Sequence, residues 1–98
     1  MFDKIKALMD MQGKMQEIKR QLDNATFEIA SSNGLVKITM TGSQELKEIK
    51  IQGNIQEIEK TALEQALKDA YNRAIRRAQE LAAEKMKAVT GFNLPGLT

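Results

Sequence analysis

The sequence predicts an α+β domain: a helix, a three-stranded antiparallel meander and a long second helix, in that order. Three observations carry this. Apolar residues spaced by 3 and 4 run through the first quarter of the chain. A period of two takes over between positions 25 and 52. From 55 to 89 there is neither Pro nor Gly, and the helical period returns. At 98 residues the chain makes one domain. A chain this short buries a modest share of its surface, so a lone copy would be thinly stabilised.

The first helix is expected over residues 3–23. Leu8, Met11, Met15, Ile18 and Leu22 form an a/d seam over two heptads, enough to dock the helix on another helix. Asp3 is placed to cap its start. Gly13 weakens its middle by up to about 1 kcal/mol relative to alanine. Three of the six methionines lie on or beside the seam, so core packing is their simplest role.

Strands are expected over residues 25–30, 35–41 and 45–52. In the first, Ala25, Phe27 and Ile29 alternate with Thr26 and Glu28. In the second, Val36, Ile38 and Met40 alternate with Lys37 and Thr39. In the third, Ile49 and Ile51 share a face opposite Glu48 and Lys50. Asn33-Gly34 supplies the positive φ of a tight hairpin, and Thr41-Gly42-Ser43-Gln44 makes the second turn. The meander has one apolar and one mostly polar face, and the apolar face needs a helix or a partner.

The second helix is expected over residues 55–89, a length of roughly 52 Å against about 30 Å for a compact domain of this size, so it should overhang the sheet. With Leu63 at zero and 100° per residue, Leu67, Ala70, Ala74 and Leu81 fall within about 40° of it. Tyr71, Ile75, Ala82 and Met86 form a second apolar flank at roughly +80° to +140°. The arc is wider than one sheet contact requires, and the alanines admit another backbone closely. Overhang and surplus apolar surface together predict a homodimer. An irregular tail is expected over 90–98, with Gly91 as a left-handed cap and Pro95-Gly96 barring continuation. Phe92 and Leu94 are expected to fold back on an apolar patch, and Asn93 to Thr98 to be dispensable for folding.

Composition removes several function classes. Charged residues are 29% and hydrophobic ones 42%, as in ordinary soluble domains. No stretch approaches 18 consecutive apolar residues, so no membrane partner is expected. The N-terminus alternates charge with apolar residues and does not read as a secretory signal, which leaves the cytoplasm as the expected location. The absence of Cys and His takes away disulfides, the usual zinc ligands, the commonest general base and the softest nucleophile. Ser31, Ser32 and Ser43 all fall in hairpin turns, where turn chemistry accounts for them. Glu57 with Glu59, and Glu80 with Glu84, read as solvated helix surface. No phosphate-binding loop or dinucleotide fingerprint appears. Phe2, Phe27, Tyr71 and Phe92 are too scattered to make a stacking platform for single strands. The expectation is a non-enzyme with no catalytic residue, metal, cofactor or small-molecule substrate.

Net charge is only +2, so the distribution of charge matters more than its sum. From Lys68 to Arg77 the chain carries Lys68, Arg73, Arg76 and Arg77 against Asp69 alone, a local excess of +3. Arg73, Arg76, Arg77 and Lys87 project onto one flank of the second helix, opposite the second apolar flank. Glu80 and Glu84 interrupt that stripe, and Glu80 is spaced to pair with Arg76. Arginine suits a forked grip on phosphate.

The order of parts resembles the YbaB/EbfC family of bacterial nucleoid-associated proteins. "MQGKMQEIKRQLDNATFEI" is similar to that family's Met- and Gln-rich first helix leading into a strand, and "NGLVKITMTGSQELKEIKI" to its paired strands about a Gly turn. "LEQALKDAYNRAIRRAQELAAEKM" resembles its long second helix, with Ala70, Asn72 and Ala74 at the A-x-N-x-A centre. "TGFNLPGL" resembles its ending. The resemblance implies tweezer-like homodimers with sheets meeting in the middle and helices projecting. It implies binding of double-stranded DNA, mostly without strict sequence, and effects on nucleoid organisation and gene expression. On the implied projections stand Lys14, Lys19 and Arg20 of the first helix and Arg73, Arg76 and Arg77 of the second. Where the family often has an Asp-Pro pair and a longer loop, this chain has Gln52-Gly53-Asn54, which alters how the helix leaves the sheet. The alternative is a homodimeric protein-interaction module whose arginines only solubilise it.

Overall fold

A computed structural model describes residues 2–90, with the side chains of 3–88. The expected Gly91 cap, the irregular tail and its fold-back lie outside the described residues. The elements are α1 (Phe2–Asn24), β1 (Thr26–Ala30), β2 (Val36–Thr41), β3 (Leu46–Ile51), a 3-10 turn (Ile55–Glu57) and α2 (Lys60–Thr90). The expected helix, meander and long helix are all present. Asp3 lies within the first turn of α1 rather than before it, so its carboxylate faces the positive end of the helix dipole instead of capping it.

The strands are antiparallel in the order β1-β2-β3. Ile29, Ile38 and Ile49 stand side by side across the sheet, as do Phe27, Met40 and Leu46, with Val36 beside Ile51. A register shift sets Thr39 opposite Glu48 but Met40 opposite Leu46, so Lys47 is the extra residue of a bulge. The bulge brings Leu46 onto the face of Ile49 and Ile51, which simple alternation would not do.

α2 lies over β2 and β1. Ala66, Ala70, Ala74 and Ala78 are buried at four-residue spacing against Val36, Ile38 and Met40, flanked by Phe27, Ile29, Leu63, Leu67 and Ile75. The alanines therefore admit the chain's own sheet rather than a second copy's backbone. Their small side chains bring the helix axis close enough to seal β2 completely.

Two helical expectations are corrected. The second helix starts at Lys60, not at 55: the Asn54 side chain accepts a hydrogen bond from the Gln56 N–H, and Ile58 is extended (φ −96°, ψ 124°), which breaks the helical path. Its 31 residues span about 46 Å, against about 20 Å for a six-residue strand, so the overhang stands. The α1 seam is only half used. Ile18 and Leu22 are buried, whereas Leu8, Met11 and Met15 are 64%, 56% and 44% exposed. α1 touches α2 and β2 through its C-terminal half, and its N-terminal half has no neighbour to seal it among the described residues. The molecule is accordingly drawn out, 67 × 26 × 15 Å.

The two turns use their glycines differently. Gly34 takes the positive φ (+73°) the hairpin requires, with the Asn33 side-chain oxygen accepting from the Leu35 N–H. In the second turn the positive φ falls on Gln44 (67°). Gly42 is needed for space: a Cβ there would stand 2.7 Å from Leu22 Cδ2 and 3.2 Å from the Leu22 carbonyl oxygen, where α1 crosses the turn. Gly42→Ala is expected to destabilise the fold by about 1–3 kcal/mol, seen as a lower urea midpoint at unchanged slope.

Candidate nucleic-acid interface

The alanine ridge that seats α2 on the sheet also fixes the direction of its other faces. Asp69 lies on the arginine side of the helix, and its carboxylate accepts the Ser32 backbone N–H at 2.8 Å, in the turn between β1 and β2. The flank of Arg73 and Arg77 is therefore turned toward the β1 side. The opposite flank, with Tyr71, Ile75, Ala82 and Met86, is turned toward β3. There α2 covers little: Leu46, Ile49 and Ile51 remain 42%, 45% and 42% exposed, and on that flank of α2 Tyr71 and Met86 are exposed as well. One side of the molecule thus presents uncovered apolar surface and an open sheet edge, and the other presents arginines.

On the basic side, Arg73 Nε donates to Asp69 Oδ1 at 3.0 Å. Arg77 lies 3.2 Å from a Glu80 oxygen and 3.7 Å from a Glu84 oxygen through the same guanidinium nitrogen. Arg76 is exposed and has no ion pair or side-chain hydrogen bond among the described residues. The expected Arg76–Glu80 pair is replaced by Arg77–Glu80: both spacings are within reach on a helix, and the side-chain rotamers decide between them. The Ser32 N–H, and after it Arg73, holds the Asp69 carboxyl below the usual carboxylate range.

The cations of α1 do not join this flank. Stepping 100° per residue from the buried Ile18, Lys14 lies at about −40°, Lys19 at about +100° and Arg20 at about −160°, spread around the helix rather than on one face. Lys19 pairs with Asp23 at 3.2 Å. Arg20 donates to Glu17 at 2.9 Å and, with Gln21, brings the Glu17 carboxyl down to about 2. The Ser43 hydroxyl, and after it Lys19, lowers the Asp23 carboxyl, which ties the end of α1 to the second turn. Exposed pairs of this kind contribute little to stability and are weak enough for a polyanion to displace.

Of the six cations singled out from the sequence, Arg73, Arg76 and Arg77 are brought together and Lys14, Lys19 and Arg20 are not. The uncovered β3 residues went unrecognised as a surface because alternation alone assigns them to a covered face. Among the described residues no cluster of acidic side chains is placed to hold a metal, and no helix is long and apolar enough to cross a membrane.

Residues 1–93 match the model of the YbaB/EbfC DNA-binding family. A nucleoid-associated protein of Afipia carboxidovorans is 37% identical over 95 residues, which cover 95% of this chain and 90% of that protein. The crystal structure of an uncharacterized protein from Helicobacter pylori aligns with a TM-score of 0.74 over 95% of this chain and 98% of that one. The two share 21% sequence identity, a likeness of fold.

Proposed function

The chain belongs to the YbaB/EbfC DNA-binding family, and on that premise we propose that it binds double-stranded DNA as a homodimer. It grips the phosphate backbone with little strict sequence preference. In this reading it is a nucleoid-associated protein of the cytoplasm that acts on nucleoid organisation and gene expression. One observation carries the proposal: apolar and basic surfaces occupy opposite flanks of α2. A second copy docked on β3 and Tyr71 covers the exposed apolar half-face and leaves the arginines on the outside. A long straight helix carrying arginines on an exposed flank meets phosphates readily, whereas reading base edges requires an element seated in a groove.

The ion pairs of Arg73 and Arg77 favour a second reading, a homodimeric protein-interaction module with a solvated basic face. Two measurements separate them. Light scattering at micromolar concentration is expected to give about twice the chain mass of 11.0 kDa. Gel-shift titration with duplexes of unrelated sequence is expected to show similar affinities that fall steeply from low to moderate salt. A dimer that shifts no duplex at low salt supports the interaction module.

A further inference from the structure

The excess of +3 that the sequence places between Lys68 and Arg77 does not survive folding as a basic surface. Lys68 projects to the other flank, near Tyr71. Arg73 is neutralised by Asp69, and Asp69 is itself anchored by the Ser32 N–H. Arg77 stands between Glu80 and Glu84, so that cluster of one cation and two anions carries a local charge of −1. Arg76 adds a positive charge with no ion pair among the described residues, so Asp69, Arg73, Arg76, Arg77, Glu80 and Glu84 together sum to zero.

We propose that Glu80 and Glu84 set the affinity of the duplex-binding surface, by holding Arg77 in an intramolecular bridge and repelling phosphate, so that Arg76 engages the backbone first. This rests on the duplex-binding reading above. The geometry suits the role. One guanidinium nitrogen serves both acids, at positions three and seven residues further along the same face, so releasing Arg77 to a phosphate breaks both contacts and leaves two carboxylates beside the strand. Both glutamates are more exposed than the arginine they hold, at 65% and 64% against 40% for the side chains, which places them at the outer rim where a duplex would arrive. Weak surface pairs make this a graded brake rather than a lock.

The test uses the full chain with Glu80→Gln and Glu84→Gln together, compared with Glu59→Gln and Glu64→Gln, which remove the same charge from the start of the helix. Gel shifts on one random-sequence duplex are run across a salt series. The expected result is about three- to tenfold tighter binding at 0.1 M salt, with the log–log salt slope steeper by about 0.9 for each subunit in contact. Adding Arg77→Ala to the first variant is expected to remove most of the gain, leaving the share that comes from relieved repulsion. The proposal is overturned if the variant binds like wild type, if the Glu59/Glu64 control gains as much, or if the whole gain survives without Arg77. A wild-type chain that shifts no duplex at low salt defeats the duplex-binding reading and this proposal with it. A wild type that binds beside an unimproved variant defeats this proposal alone.

Discussion

Replacing Arg73, Arg76 and Arg77 together with alanine is expected to weaken duplex binding by more than an order of magnitude, about equally for every duplex sequence. A phosphate contact contributes a slope of about 0.9 in log affinity against log salt, which corresponds to roughly eightfold at 0.1 M. Arg76, with no acid partner among the described residues, carries the first such contact. A duplex engaged by both subunits loses it twice, for roughly 60-fold and a slope shallower by about 1.8. Arg73 and Arg77 add less, because each must first leave a carboxylate at 3.0–3.2 Å. The single Arg76→Ala chain should therefore show most of the triple variant's loss. Stability should barely move: solvent-exposed pairs contribute little, and alanine is the better helix former. A triple variant with unchanged affinity and salt slope would show that these arginines only keep the surface wet.

The second large effect lies on the other flank. Ile49→Asp is expected to turn the proposed dimer into a monomer at micromolar concentration, read as a halving of the light-scattering mass. In a lone chain Ile49 is 45% exposed, so an aspartate there reaches water and disturbs the fold little. In a dimer built on β3 the same carboxylate would be sealed among Leu46, Ile51 and the partner without a cation beside it, an arrangement that opposes association by several kcal/mol. Circular dichroism of the variant should still report folded helices. If Ile49→Asp remains fully dimeric, the two copies meet elsewhere, and the exposed Leu8, Met11 and Met15 of α1 become the next surface to test. Duplex binding by the monomer should fall as well, since two linked grips exceed one through effective concentration.

The helix, meander and long helix were legible because each rests on local periodicity, and periodicity survives whatever the tertiary context does. Val36, Ile38 and Met40 announce a buried strand by alternation alone, and all three are buried. The shared flank of Arg73, Arg76 and Arg77 was equally legible, being a property of one helix's geometry. The identity of their partners was only half so. Acids within one or two turns are visible in the sequence, but the choice of Arg77 over Arg76 for Glu80 depends on rotamers.

What the sequence by itself determined is therefore which residues share a face: the apolar side of the sheet, the alanine ridge, the arginine flank and the α1 seam. What only the tertiary structure decided is how much of each face is covered. The alanine ridge draws α2 over β2, and the Asp69–Ser32 contact holds it toward β1, so β3 is left open although its pattern matches a covered strand. The bulge at Lys47 adds Leu46 to that open surface, a change of parity no alternation rule foresees. Gly42 is the turn residue its sequence announces, and it is also the point where α1 crosses that turn. The physical reason is common to all three. Facing is set by backbone repeats within a few residues, whereas coverage is set by how far one element lies from another, and that distance belongs to the packed chain as a whole.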